Sequence, residues 1–281
     1  MLATRVITAV VALVVVVAMV FLAPRALWAL FMLAVALVSC WEWSRLCGLA
    51  EGVRIAYLVL SVAAGAALWA FSVSAPAGAF AHVTVVLFAI AAFFWVAIAP
   101  FWIGGHWKPA PAMRALAGWV VVWPTWAATV VLREASPWIL LAAAALVWVA
   151  DIAAYFSGRR FGKRKLAPAV SPGKTVEGLL GALAGVFVYG VVLALLARAR
   201  PMPFSDLFQA DAGIPAIVAM VALALLSVVG DLFESWMKRG AGRKDSSGLL
   251  PGHGGMLDRI DALTSTLPVA ALVLTLRAFL P

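Results

Sequence analysis

Apolar residues run along this chain in long blocks, not in the alternating or one-sided stripes of a soluble fold. There are about nine blocks: 5–22, 26–44, 55–74, 79–99, 115–132, 137–157, 176–197, 213–234 and 262–280. A helix needs ~20 apolar residues to cross a bilayer, so blocks of this length read as membrane spans. Pro100 and Pro124 interrupt the fourth and fifth spans, the least regular pair. The first block opens with a single arginine, as a signal peptide would. It lacks a clear small-residue cleavage site and a second block follows almost at once, so it reads as a retained span. The segment Ser74–Phe80, SAPAGAF, suits a tight reversal. The expected fold is all-α: a polytopic integral membrane protein of about nine transmembrane helices. It forms a single membrane domain over 1–281, with N-terminal spans in 1–133 and the polar-bearing spans in 134–281. There is no internal repeat, low-complexity tail or separate soluble domain.

Composition agrees with this pattern. The chain of 281 residues is 65% hydrophobic and 12% charged, against the roughly 25% charged residues of a soluble domain. The net charge is +9, and its distribution gives an orientation. With the N-terminus inside, only Arg25, Arg133, Arg198, Arg200 and Arg277 of the 21 basic residues fall on the outer side. The positive-inside rule therefore places the N-terminus in the cytoplasm and the C-terminus outside. Such a cytoplasmic surface attracts anionic lipids and nucleotides; no nucleic-acid partner is expected. The loop Trp102–Arg114 is amphipathic enough to lie at the interface, and Trp41, Trp43, Trp107 and Trp138 read as interfacial anchors. Cys40 and Cys47, near a reducing face, are expected to be free and structural.

Polar residues concentrate after Ser136. The topology brings Asp151, Glu177, Asp231, Glu234, Asp258 and Asp261 to similar depth near one membrane face, which implies a polar chamber open to the cytoplasm. Ser227, Asp231, Ser235 and Lys238 share one helical stripe. A carboxylate with flanking hydroxyls and a cation suits a magnesium–phosphate unit. An interhelical hydrogen-bond seam accounts for the serines, but less well for Asp231. Asp258 and Asp261 share a face if helical, and with Asp231 they form a candidate metal site. Magnesium takes one or two protein carboxylates and completes its shell with phosphate and water. The competing reading pairs these aspartates with Arg259 or Arg239.

Gly252, His253, Gly254 and Gly255 form a flexible run whose amides suit phosphate oxygens; the plainer reading is a turn before the last span. The segment Ser171–Gly178, SPGKTVEG, contains a GKT, but Pro168 stands where a P-loop has its first glycine and no strand is expected before it. Lys174 still stands at a helix start, where anions are favoured. The basic run Arg159–Lys165 reads as a topogenic charge cluster, with a binding role as the alternative.

These residues resemble the phosphatidate cytidylyltransferase family, also called CDP-diacylglycerol synthases. The family signature S-x-apolar-K-R-x4-K-D-x-small-x2-L-P-x-H-G-G-x-x-D-R-x-D is met by Ser235, Lys238, Arg239, Lys244, Asp245, Ser247, Leu250, Pro251, His253, Gly254, Gly255, Asp258, Arg259 and Asp261. A second region, Asp151–Gly178, is also similar; its one departure is Gly173, where relatives often carry lysine, so a phosphate role passes to Lys174 alone. The resemblance covers roughly the C-terminal half; the earlier spans match mainly through EWSRLCGL, Glu42–Leu49. It implies the reaction of CTP with phosphatidate to give CDP-diacylglycerol and pyrophosphate, with magnesium, a second cation being left open. The expected catalytic residues are Asp231, Lys238, Arg239, Lys244, Asp258 and Arg259. Substrate binding is expected of Lys174, Ser235, His253, Gly254 and Gly255, and metal binding of Asp231, Asp258 and Asp261. The expected setting is the inner membrane with the site facing the cytoplasm, and a homodimer is compatible with the family.

The chemistry is consistent with these residues. A phosphate monoester needs no strong base to act as a nucleophile. Attack of one anion on another needs charge neutralisation and alignment. Two alternatives stay open: a CTP-dependent polyprenol or phytol kinase, and a transporter for an anionic lipid. The DG-x2-AR pattern of CDP-alcohol phosphotransferases is absent.

Overall fold

The computed structural model describes residues 2–76, 78–105, 109–209 and 212–279. Trp107 and Lys108, expected at the interface and on the cytoplasmic face, lie outside the described residues. The chain folds into helices α1 (Leu2–Leu22), α2 (Arg25–Leu46), α3 (Glu51–Ser74), α4 (Ala79–Phe93), α5 (Ala99–Gly104), α6 (Pro111–Ala135), α7 (Pro137–Phe161), α8 (Val176–Ala199), α9 (Gly213–Gly240) and α10 (Leu257–Phe279). Eight segments among the described residues are long and apolar enough to span a membrane, α4 and α5 counting together as Ala79–Gly104. The N-terminal helix stands where the first of the nine spans was expected, with a shorter apolar stretch, Val10–Leu22. The protein is a multi-pass membrane protein.

The two proline-bearing spans are intact. Before Pro100 the helix widens into a π segment, Phe94–Ile98, joining α4 to α5. The wider turn relieves the clash between a proline ring and the carbonyl one turn back. Pro124 sits inside α6, which runs through unbroken. Its neighbours hold it: α6 packs against α2, α4, α7 and α10 and is the most buried span. In a bilayer such packing is what lets a helix tolerate proline. The reversal after Ser74 closes at Gly78, whose φ of 89° suits glycine.

The tryptophans divide. Trp41 and Trp138 are partly exposed, as anchors are, but Trp43 is 1% exposed and donates from Nε1 to the Arg114 carbonyl at 2.7 Å. Trp43 is therefore a core residue tying α2 to α6, not an anchor; two residues along the helix from Trp41, it points to the opposite face. Cys40 and Cys47 are free and buried.

One departure from the all-helical pattern matters for the site. Between α7 and α8 the chain forms an antiparallel hairpin, β1 (Lys165–Ala167) and β2 (Ser171–Thr175). A strand does precede Pro168, contrary to expectation, but it pairs with β2 in a hairpin and does not make a P-loop. Helices α7 and α8 pack closely side by side, and α8 leans on α9, which leans on α10.

Candidate active site

Polar residues from α7, β2, α9 and α10 meet at one end of the C-terminal helices. Strand β2 carries Lys174 to the last third of α9, where its ammonium lies 2.6 Å from Asp231 Oδ2. Thr175 then caps α8 by accepting from the Gly178 amide at 3.1 Å. Glu177, expected in the chamber, turns to the hairpin and accepts the Lys163 and Arg164 amides, at 3.0 and 3.2 Å to Oε2. It shapes the loop that delivers Lys174.

A cavity of about 440 Å³ opens beside this pair. Asp151, Tyr155, Arg159, Gly173, Lys174 and Asp231 are among its walls. Arg159, by sequence part of a topogenic charge cluster, lines the cavity and donates to the Tyr155 hydroxyl at 3.1 Å. A second cavity, about 490 Å³ and almost wholly apolar, lies toward the opposite ends of the same helices. A buried apolar cluster that includes Leu146, Val147, Ala150 and Ala182 reaches both, with Ala150 in the wall of the first and Leu146 in the wall of the second. Only the first cavity carries chemistry suited to phosphates.

Helices α9 and α10 cross at Gly230. A Cβ there would stand 2.7 Å from the Asp261 carbonyl and 2.5 Å from Ser265 Oγ. This close approach sets Asp231 beside Asp261. Two turns on, Lys238 lies 2.5 Å from Glu234 and 2.6 Å from Asp258. The cation paired with Asp258 is thus Lys238, not Arg239 or Arg259. Arg239, Lys244 and Arg259 are exposed and make no ion pair among the described residues. Ser235 makes a long contact with Asp231, 3.4 Å. Ser227 bonds within its own helix, and the α9–α10 hydroxyl contact is Ser265 to the Leu226 carbonyl, 2.7 Å.

The loop between α9 and α10 is held by two carboxylates. Asp258 Oδ2 accepts from the Gly255 amide at 2.7 Å, the Ser246 amide at 2.9 Å and the Ser246 hydroxyl at 3.0 Å. Glu42 on α2 reaches the same loop. Its oxygens accept from Ser247 Oγ (2.5 Å), Leu257 N (2.7 Å), Met256 N (2.9 Å) and Ser246 Oγ (3.0 Å). Glu42 is 0% exposed. It was not singled out in the sequence, although EWSRLCGL begins with it; a charged residue inside an apolar run was the available signal. The Gly255 amide is occupied by Asp258. Gly254, at φ 81°, closes a bridge through its carbonyl to the Leu250 amide at 2.8 Å. His253 has a buried Nδ1 without a partner among the described residues.

No group of three or more aspartate, glutamate, histidine or cysteine side chains among the described residues is gathered closely enough to hold a metal alone. The lone pairs differ, however. Asp258 is filled by Lys238 and the loop. Among the described residues Asp231 holds only Lys174 and the long Ser235 contact, and Asp261 accepts one bond, from the Ala262 amide at 2.8 Å. Two such carboxylates, with water and phosphate completing the shell, fit magnesium.

A sequence model of the Cytidylyltransferase family matches residues 3–277. The chain is 38% identical over 280 residues to a protein of Pseudomonas aeruginosa called phosphatidate cytidylyltransferase, covering 98% of this chain and 97% of that one. It is 36% identical over 286 residues to a Haemophilus influenzae protein of the same name, covering 95% and 96%. A Brucella suis protein, again of that name, is 46% identical over 121 residues, 43% of this chain and 41% of the other.

Proposed function

The chain belongs to the cytidylyltransferase family, and from that premise we propose how its polar end works. The protein is a nucleotidyltransferase: it transfers the cytidylyl group of CTP to phosphatidate, giving CDP-diacylglycerol and pyrophosphate. The observation that carries the mechanistic reading is the meeting of charged side chains from separate elements, Lys174 of β2 on Asp231 of α9 and Lys238 of α9 on Asp258 of α10.

The lipid phosphate and the nucleotide triphosphate are both anions, so the barrier is largely their mutual repulsion and their alignment. Lys174 and Arg159 face the 440 Å³ cavity and offer cations to phosphate. Arg239, Lys244 and Arg259 carry charge on the loop and helix ends beside it and steer CTP inward. Asp231 and Asp261 would hold magnesium, which supplies charge neutralisation and a template for the phosphates. Asp258 keeps Lys238 and the loop in place, and Ser235 flanks Asp231. Gly254 and Gly255 serve the turn; His253 Nδ1 is left for a substrate contact.

The setting belongs to the same reading: the inner membrane, the polar cavity facing the cytoplasm where CTP is found, lipid entering from the side. No nucleic-acid partner is part of it, and a homodimer is compatible with it. The test is pyrophosphate release by purified protein in lipid. Release should require both CTP and phosphatidate and be lost in Lys174→Ala. Turnover of CTP without phosphatidate would contradict the reading.

A further inference from the structure

We propose that Glu42 is a positioning residue of the catalytic segment, supplied by the N-terminal half of the chain. This rests on the cytidylyl-transfer reading above. Glu42 is fully buried and makes no ion pair among the described residues. A buried carboxylate is costly unless its acceptor sites are filled. It has about four such sites: the Ser247 hydroxyl and the amides of Met256 and Leu257 fill three, and the single hydroxyl proton of Ser246 is shared between Glu42 and Asp258. All four lie between Ser246 and Leu257, in the loop and the first residue of α10, more than 200 residues along the chain.

Two of these donors, Met256 and Leu257, are free amides at the start of α10. A helix start is where a phosphate would otherwise bind. The next amide back, Gly255, is taken by Asp258. Protein carboxylates therefore fill the anion place at the head of α10, and substrate phosphates are left to the cationic side chains. The hold passes onward: Ser246 touches both Glu42 and Asp258, Asp258 holds Lys238, and Lys238 holds Glu234. Gly255 leaves no room for a Cβ, which would overlap Ser246 Oγ and Glu42 Oε1. Displacing Glu42 thus displaces the segment that carries Asp258 and Asp261.

The experiment uses full-length protein in lipid bilayers, with CTP and phosphatidate as substrates. Glu42→Ala should lower kcat on the order of 10²-fold, the scale of a displaced catalytic group, with KM for CTP little changed. It leaves a hollow lined by four donors, so formate should restore part of kcat in Glu42→Ala. Formate should not affect the parent protein, and chloride at equal ionic strength should not rescue. Unchanged kcat per folded protein, or a loss that formate does not relieve, would overturn the proposal. Should Glu42→Ala fail to fold, Glu42→Gln decides: it keeps the shape but sets an NH2 against two donors, and parental kcat would overturn the proposal. A parent protein releasing no pyrophosphate would instead sink the cytidylyl-transfer reading. Glu42 would then be judged by tryptic cleavage after Arg243 and Lys244, faster in Glu42→Ala if it anchors the loop and equal if it does not.

Discussion

One ammonium, that of Lys238, joins the end of α9 to the start of α10 by holding Glu234 and Asp258 together. All three side chains are largely buried, at 13%, 3% and 5% exposure. Removing the cation leaves two buried carboxylates unpaired, a loss of about 3–5 kcal/mol in comparable cases. Lys238→Met should therefore lower the unfolding midpoint in detergent as well as the activity; an unchanged midpoint would show that the pair is dispensable. Asp231 differs. It is partly exposed and bound to Lys174 alone at short distance. Asp231→Asn should abolish turnover while leaving the unfolding midpoint near that of the parent. The same is expected of Asp261→Asn, and of the parent protein after chelation, with recovery on adding magnesium. Near-normal activity in either variant would remove that residue from the proposed metal site. Cys47 is a buried thiol of another kind, pushed up to about 12 by loss of solvent. Since the thiolate is the reactive form, Cys47 should resist alkylation at neutral pH and react only as pH approaches that value.

Helices set these side chains by their close approaches, and the approach at Gly230 is the one that brings α9 onto α10. Gly230→Leu should force α9 from α10, separate Asp231 from Asp261 and cost activity and stability together, by about 1–3 kcal/mol if the core relaxes as overpacked cores do. A stable, active variant would show that the crossing is looser than its geometry implies. Much at this scale was legible in the sequence. Span positions follow from the length of apolar blocks, because a bilayer leaves a backbone few alternatives. The meeting of Asp231 with the Asp258–Asp261 turn follows from alternating span direction. Three features were not legible, for distinct reasons. The hairpin Lys165–Thr175 is too short and too basic to show a strand period. Trp43 looks like an anchor because its sequence position is near the interface, and only the packing of α2 on α6 buries it. Glu42 finds its partners more than 200 residues away, and no local pattern announces such a contact. Arg239, Lys244 and Arg259, expected as catalytic, stand exposed on flanking elements, so Lys244→Ala should raise KM for CTP more at low salt than at high salt, as screening predicts.

The whole molecule is a helical body whose chemistry sits at one end, so orientation decides which side of the membrane supplies the nucleotide. Gly248 is exposed and has open space around it. A Gly248→Cys thiol should resist an impermeant reagent in intact cells and react once the membrane is opened, against the silent background of buried Cys40 and Cys47. Labelling in intact cells would invert the topology and move the cavity away from CTP. The central claim, transfer of a cytidylyl group, is tested most directly by the fate of two labels. CTP labelled at the α-phosphate, incubated with phosphatidate and the protein in lipid, should pass its label into the lipid phase as CDP-diacylglycerol. CTP labelled at the γ-phosphate should release its label as pyrophosphate in water. Appearance of the γ label in lipid would mean phosphoryl transfer by a kinase, and absence of the α label from lipid would contradict the account.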